Sequence, residues 1–84
     1  MESKYKVGDK VRIKSLEWYN SNKDENGEIL PHSDKYLFFL EKMSECCGKE
    51  FEVRHVYPDE IYLLEGTEWM WEDWMLEDKP TFNK

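Results

Sequence analysis

The chain opens on an alternation. Tyr5, Val7, Val11 and Ile13 fall on odd positions, and Lys4, Lys6, Lys10, Arg12 and Lys14 on even ones, the period of two that marks a half-buried strand. Gly8-Asp9 interrupts the run, as a bulge or tight bend does in a strongly curved small barrel. The strand is expected to end near Ser15. Beyond Leu16-Glu17-Trp18-Tyr19, the polar run from Asn20 to Asn26-Gly27 reads as an exposed loop.

The period then changes. Leu37, Leu40, Met43 and Cys47 are spaced by three, three and four, which predicts one apolar face of an amphipathic helix over about 34–47. Ser33 is placed to cap it, Asp34 suits the first turn and Gly48 the C-terminal end. Tyr36, Phe38 and Phe39 make the stripe wider than one face needs, and the helix is expected to cover an open end of a barrel. After Gly48 the period returns to two. Phe51 and Val53 are expected inward and Glu50, Glu52 and Arg54 outward. Tyr57-Pro58-Asp59-Glu60 is a turn with Pro in a favoured place, followed by the strand Ile61-Tyr62-Leu63-Leu64-Glu65, so the two strands form a hairpin. Gly66-Thr67 turns the chain again, Glu68-Trp69-Met70-Trp71 alternates, and one short helical turn is expected near 72–75 before a last strand residue or two.

These elements predict a mainly-β fold: an SH3-like five-stranded small barrel, with one α-helix at about 34–47 inserted in the long first loop and a short helical turn near 72–75. Residues 1–78 read as a single domain and residues 79–84, with Pro80, as a flexible tail. At 84 residues only part of the unfolded surface can be buried. Four Trp, five Tyr and four Phe compensate with large apolar areas.

No apolar run of about 18 residues occurs, and Met1-Glu2-Ser3-Lys4 lacks the apolar core of a signal peptide. The expectation is a soluble cytoplasmic protein, of a bacterial cell or an infected one, with no membrane contact. Cys46 and Cys47 are adjacent and cannot staple distant parts of the chain, so both are expected as reduced thiols.

Charge is distributed unevenly. The net charge is −7, yet residues 4–14 carry five basic groups against Asp9 alone, while residues 59–78 carry Asp59, Glu60, Glu65, Glu68, Glu72, Asp73, Glu77 and Asp78 with no Lys or Arg. Either the two stretches neighbour each other and pair across strands, or the acidic end faces a basic partner or imitates nucleic-acid phosphate.

Catalysis finds no support. His32 lies beside Pro31 in a loop and His55 in a strand, with no nucleophile motif near either, and no carboxylate pair is singled out by its spacing. The glycines form no phosphate cradle. Cys46-Cys47 lacks the Cys-x-x-Cys spacing that brings two thiolates to one ion, so neither a metal nor a cofactor is expected.

Lys6-Val7-Gly8-Asp9-Lys10-Val11-Arg12-Ile13, Met43, Cys47-Gly48-Lys49-Glu50-Phe51-Glu52-Val53, Tyr62-Leu63-Leu64 and Trp71-Glu72-Asp73-Trp74-Met75-Leu76-Glu77 together resemble a group of small, mostly uncharacterised bacterial and phage or prophage SH3-like barrel proteins. That group is distantly similar to KOW-type and Mind-bomb-type repeats. The position of Trp74 in the resembling group is more often polar or acidic, so a fourth Trp puts an extra ring in play. The resemblance implies the fold; the architecture itself hosts RNA, DNA, peptide and subunit binding alike.

The expected function is therefore a non-catalytic interaction module for a basic protein or peptide surface. Trp69, Trp71 and Trp74 would serve as aromatic anchors, Glu68, Glu72 and Asp73 as the acidic rim, and Trp18 and Tyr19 either as further contacts or as anchors of their loop. Alternation predicts that Trp69 and Trp71 share a face and are buried or exposed together. The alternatives are single-stranded nucleic acid on the basic face Lys4, Lys6, Lys10, Arg12 and Lys14, disfavoured by the overall charge, and a phage-type acidic decoy of a host nucleic-acid-binding protein. The partner is otherwise unknown, and monomer and homodimer both remain open.

Overall fold

A computed structural model describes residues 3–32 and 34–77. Its centre is a four-stranded antiparallel sheet in the order β1 (Lys10–Arg12), β2 (Glu50–Tyr57), β3 (Ile61–Leu64) and β4 (Met70–Glu72). The sheet curls into a half-barrel. Its far edge comes back to its first strand through a single bridge, Ile13 to Leu76, flanked by Lys14 N–H donating to Met75 O at 3.0 Å and Glu77 N–H donating to Arg12 O at 2.8 Å. A bulge between Val53 and His55 shifts the β2–β3 register, the means by which a short strand bends sharply enough for such a curl.

The expected hairpin forms over Pro58, Asp59 and Glu60, and Tyr57 pairs with Ile61. Asp59 and Glu60 both take left-handed backbone conformations, with φ of 68° and 60°. Glu60 is held there by its own carboxylate, whose Oε1 accepts from Lys4 N–H at 2.9 Å and from the Tyr62 hydroxyl.

The opening strand is shorter than its alternation suggests. Asp9 N–H bonds Lys6 O at 3.0 Å, Lys6 N–H bonds Asp9 Oδ2 at 3.0 Å, and Gly8 sits at φ 97°. This tight turn breaks the parity and places Val7, expected inward, in solvent at 63% exposure. Beyond the turn the alternation holds: Val11 and Ile13 are buried while Lys10 and Arg12 face out. Lys10 lies opposite Glu52 and Arg12 opposite Glu50, with Arg12 Nη2 at 2.8 Å from Glu50 Oε2. Part of the basic stripe is thus matched by acids of the neighbouring strand, a pairing that sets register more than it adds stability.

The helix expected over 34–47 does not form. Asp34 lies in a turn, residues 35–40 are non-helical with Phe39 in a β-bridge to Ile29, and only Glu41–Cys46 coils, as a 3-10 helix. The donors that a helix needs are engaged elsewhere: Tyr36 and Leu37 N–H groups bond the Glu72 carboxylate, and Phe39 exchanges both hydrogen bonds with Ile29. Aromatic residues are also weak helix formers. Read with a period of two, the same residues are consistent, since Phe39 is buried and Tyr36, Phe38 and Leu40 are exposed. Ser33, the expected cap, lies outside the described residues, as does the expected tail 79–84.

The α-helix lies earlier. Helix α1 covers Leu16–Asn22, in the stretch expected as a lead-in and loop. Ser15 Oγ accepts from Trp18 N–H at 3.0 Å, and Glu17 occupies the first turn, both favourable at a helix N-terminus. Seven residues are too few to display a helical period in the sequence.

The core gathers Tyr5, Val11, Ile13, Tyr19, Ile29, Phe39, Met43, Val53, Tyr62, Leu64, Trp71, Met75 and Leu76. Cys46 and Cys47 are free thiols packed half-buried against it. Burial pushes the Cys47 thiol up to about 11, with the neighbouring Cys46 adding to the shift, and also raises the Cys46 thiol and the phenol of Tyr62, the latter with help from Glu60. These groups hold their protons more tightly folded than unfolded, so their contribution is complete below the unfolded thiol value of about 8.5 and is lost as pH rises through the folded values. Urea midpoints should therefore hold constant around neutrality and fall progressively above about pH 9. A midpoint that stays flat to pH 11 would contradict this.

Candidate binding pocket

Two tryptophans distant in sequence meet at an open pocket of about 220 Å³. Trp18 is carried by α1, where Ser15 caps its N–H and its carbonyl accepts from Asn22 Nδ2 at 2.8 Å. Its ring packs edge-on against the buried Phe39 at 5.2 Å. Trp74 belongs to a second 3-10 helix, Asp73–Met75, directly after β4. Its ring centroid lies 6.2 Å from that of Trp18 with the planes inclined by 54°, so the two rings form a wedge. The His32 ring stands edge-on to Trp74 at 5.9 Å, and Lys14 Nζ lies 5.7 Å from the Trp18 ring centroid, within reach of a cation–π contact. Lys4, Asn22, Ile29, Asp73 and Leu76 complete the lining.

The ring of Trp74 is oriented from below by Glu72. This side chain is fully buried, and its carboxylate accepts from Trp74 Nε1 at 2.9 Å, from Tyr36 N–H at 2.9 Å and from Leu37 N–H at 2.9 Å. A buried carboxylate is tolerated when such donors replace its water. Glu72 therefore joins β4, the 36–37 segment and one wall of the pocket. Beside it Lys35 Nζ lies 3.0 Å from Asp73 Oδ1, both groups largely shielded, and the bond to Asp73 raises the pKa of Lys35.

This arrangement redistributes the residues singled out from the sequence. Trp71, expected as an anchor, is fully buried, stands edge-on to Phe39 at 5.9 Å and donates from Nε1 to Thr67 Oγ1 at 3.1 Å. It is a core residue. Trp69 shares its face, 6.1 Å away and edge-on, yet is only half-buried, so the two are not buried alike as alternation alone predicts. Trp69 directly precedes β4, an edge strand of the sheet.

The acidic rim is likewise dispersed. Glu72 points inward and is consumed by the three donors, Asp73 is neutralised by Lys35, and of the three only Glu68 is exposed. Trp18 and Tyr19 separate as well. Tyr19 is buried and its hydroxyl donates to Gly27 O at 2.6 Å, anchoring the 24–28 loop, whereas Trp18 remains half-exposed at the pocket. Of the basic stripe, Lys4 and Lys14 reach the pocket, while Arg12 is turned to Glu50.

His32 and Asn22 carry no sequence motif. Asn22 follows Trp18 by four residues, which places both on one helix face, so only recognition of α1 could have found it.

A second, wider cavity of about 570 Å³ is lined by Ser3, Asp34, Lys35, Tyr36, Pro58, Asp59 and Glu60. Of its three carboxylates Glu60 is already engaged by Lys4 N–H and Tyr62, its Lys35 is engaged by Asp73, and it has one aromatic ring, Tyr36, where the first pocket brings two indoles together. Among the described residues no helix is long and apolar enough to cross a membrane, and no three His, Cys, Asp or Glu side chains are placed to hold a metal ion. Comparison with protein-family models, with curated proteins and with solved structures found no match.

Proposed function

We propose that this chain is a non-catalytic interaction module on an SH3-like barrel and that it engages its partner through the Trp18–Trp74 wedge. The barrel reading draws support from the curled sheet and from the Ile13–Leu76 bridge, which stands where a short fifth strand would close onto the first. The functional reading rests chiefly on one observation: two half-buried indoles some 56 residues apart, one on a helix capped by Ser15 and the other bonded through its Nε1 to Glu72, meet at 6.2 Å in the lining of one open pocket. Aromatic anchors set in a preformed concavity are the usual core of a recognition surface. Trp69 and Glu68 line neither of the two cavities described above.

Affinity capture with the purified chain, with and without nuclease, tests the proposal when run beside Trp18→Ala and Trp69→Ala, each verified as folded by its urea transition. Protein retained after nuclease should be lost with Trp18→Ala and kept with Trp69→Ala. The reverse pattern would move the site to the β4 margin, and complete loss on nuclease treatment would assign the pocket to nucleic acid.

A further inference from the structure

We infer that the pocket takes a peptide carboxylate set beside a proline or aliphatic side chain, an inference that rests on the module reading above. Charge complementarity argues first. Lys4 and Lys14 both line the pocket, and among the described residues neither ammonium is in an ion pair. The one carboxylate in the lining, Asp73, is matched by Lys35. The locality is therefore cationic on a chain of net charge −7, the reverse of the acidic surface implied by the sequence of residues 68–73.

Shape argues second. A pocket of about 220 Å³ lies below the roughly 300–1,000 Å³ of small-molecule and cofactor sites, so it suits one or two side chains. Indole planes inclined by 54° cannot sandwich a flat base face to face, whereas a wedge of two rings accepts the rounded flank of a proline or aliphatic side chain. The overall charge disfavours nucleic acid. Screening over a Debye length of about 8 Å lets one carboxylate feel mainly the two lysines, but a string of phosphates must also run over a chain of net charge −7.

The test is selection of a random dodecapeptide display library on the full chain, followed by synthesis of the enriched peptides and titration against the isotope-labelled protein. Enriched peptides should pair Asp or Glu with Pro or an aliphatic residue and should shift the indole N–H resonances of Trp18 and Trp74. Replacing the peptide carboxylate by its amide and introducing Lys14→Gln should each weaken binding about tenfold or more, with the two losses less than multiplicative. Lys4→Gln, at an exposed position, repeats the test should Lys14→Gln alter folding. Enrichment of basic peptides, no enrichment, or stronger binding of an oligothymidylate would overturn the inference. If those ligands still shift both indoles the module reading survives alone, and if they bind without shifting either indole both readings fall.

Discussion

Glu72→Ala is expected to lower unfolding stability by about 3–5 kcal/mol, the range for removing one partner from a buried, charged hydrogen-bond network. The estimate follows from the donors left behind. Tyr36 N–H, Leu37 N–H and Trp74 Nε1 all converge on this carboxylate at 2.9 Å, and the side chain has no exposure to water. Its removal strands those donors and opens a cavity under the pocket. For an 84-residue chain, whose total stability is on the order of 4–13 kcal/mol at typical values per residue, this is a large fraction of the whole.

Glu72→Gln separates charge from shape. The amide keeps one acceptor oxygen for Trp74 and Leu37 but sets an NH2 group against the Tyr36 donor, so a smaller loss of about 1–2 kcal/mol is expected. Urea titration of the three proteins measures both values. The indole N–H resonance of Trp74 should move upfield in the Ala variant, where its acceptor is gone. Equal stability of Glu72→Gln and Glu72→Ala would mean that volume, and not the accepted hydrogen bonds, holds this junction.

Why Glu72 was invisible in the sequence is a matter of distance. A strand pattern reports the face of a residue relative to its neighbours, and the donors that satisfy Glu72 come from 35–36 positions earlier. The 34–40 stretch was misread for the related reason that its apolar residues fit two periods at once. What selects the non-helical form is the pairing of Phe39 with Ile29 and of Tyr36 and Leu37 with Glu72, none of which is local. The hairpin was legible because its signals are local: Pro58 in the turn, alternation in the flanking strands. The parity of Val11 and Ile13 was legible for the same reason, and it failed at Val7 only where the turn from Lys6 to Asp9 intervenes. Two of the nine lining residues, Trp18 and Trp74, could be named in advance as aromatic candidates, with Asp73, Lys4 and Lys14 named for other surfaces. Their meeting could not, because it depends on α1, whose seven residues are too short to announce themselves.

The paired tryptophans of β4 offer the sharpest contrast between pattern and packing. Alternation treats Trp69 and Trp71 as equivalents, but the structure predicts unequal costs for the same substitution. Trp71→Ala removes a fully buried indole, its edge contact with Phe39 and its hydrogen bond to Thr67 Oγ1, and should cost about 3–5 kcal/mol by cavity formation. Phe39 also supports Trp18 at 5.2 Å, so this loss should spread to the pocket wall and broaden the Trp18 indole resonance. Trp69→Ala takes away a half-buried ring whose one aromatic neighbour among the described residues is Trp71. Its loss should be near 1 kcal/mol, the scale of a single aromatic pair, and should leave the Trp18 resonance in place. Denaturation midpoints of the two variants, measured side by side with their indole spectra, decide the matter. Similar destabilisation by both would mean that Trp69 is packed as a core residue, whereas a large effect confined to Trp71 means that only Trp71 is core and that Trp69 is a marginal ring beside the edge strand of the half-barrel.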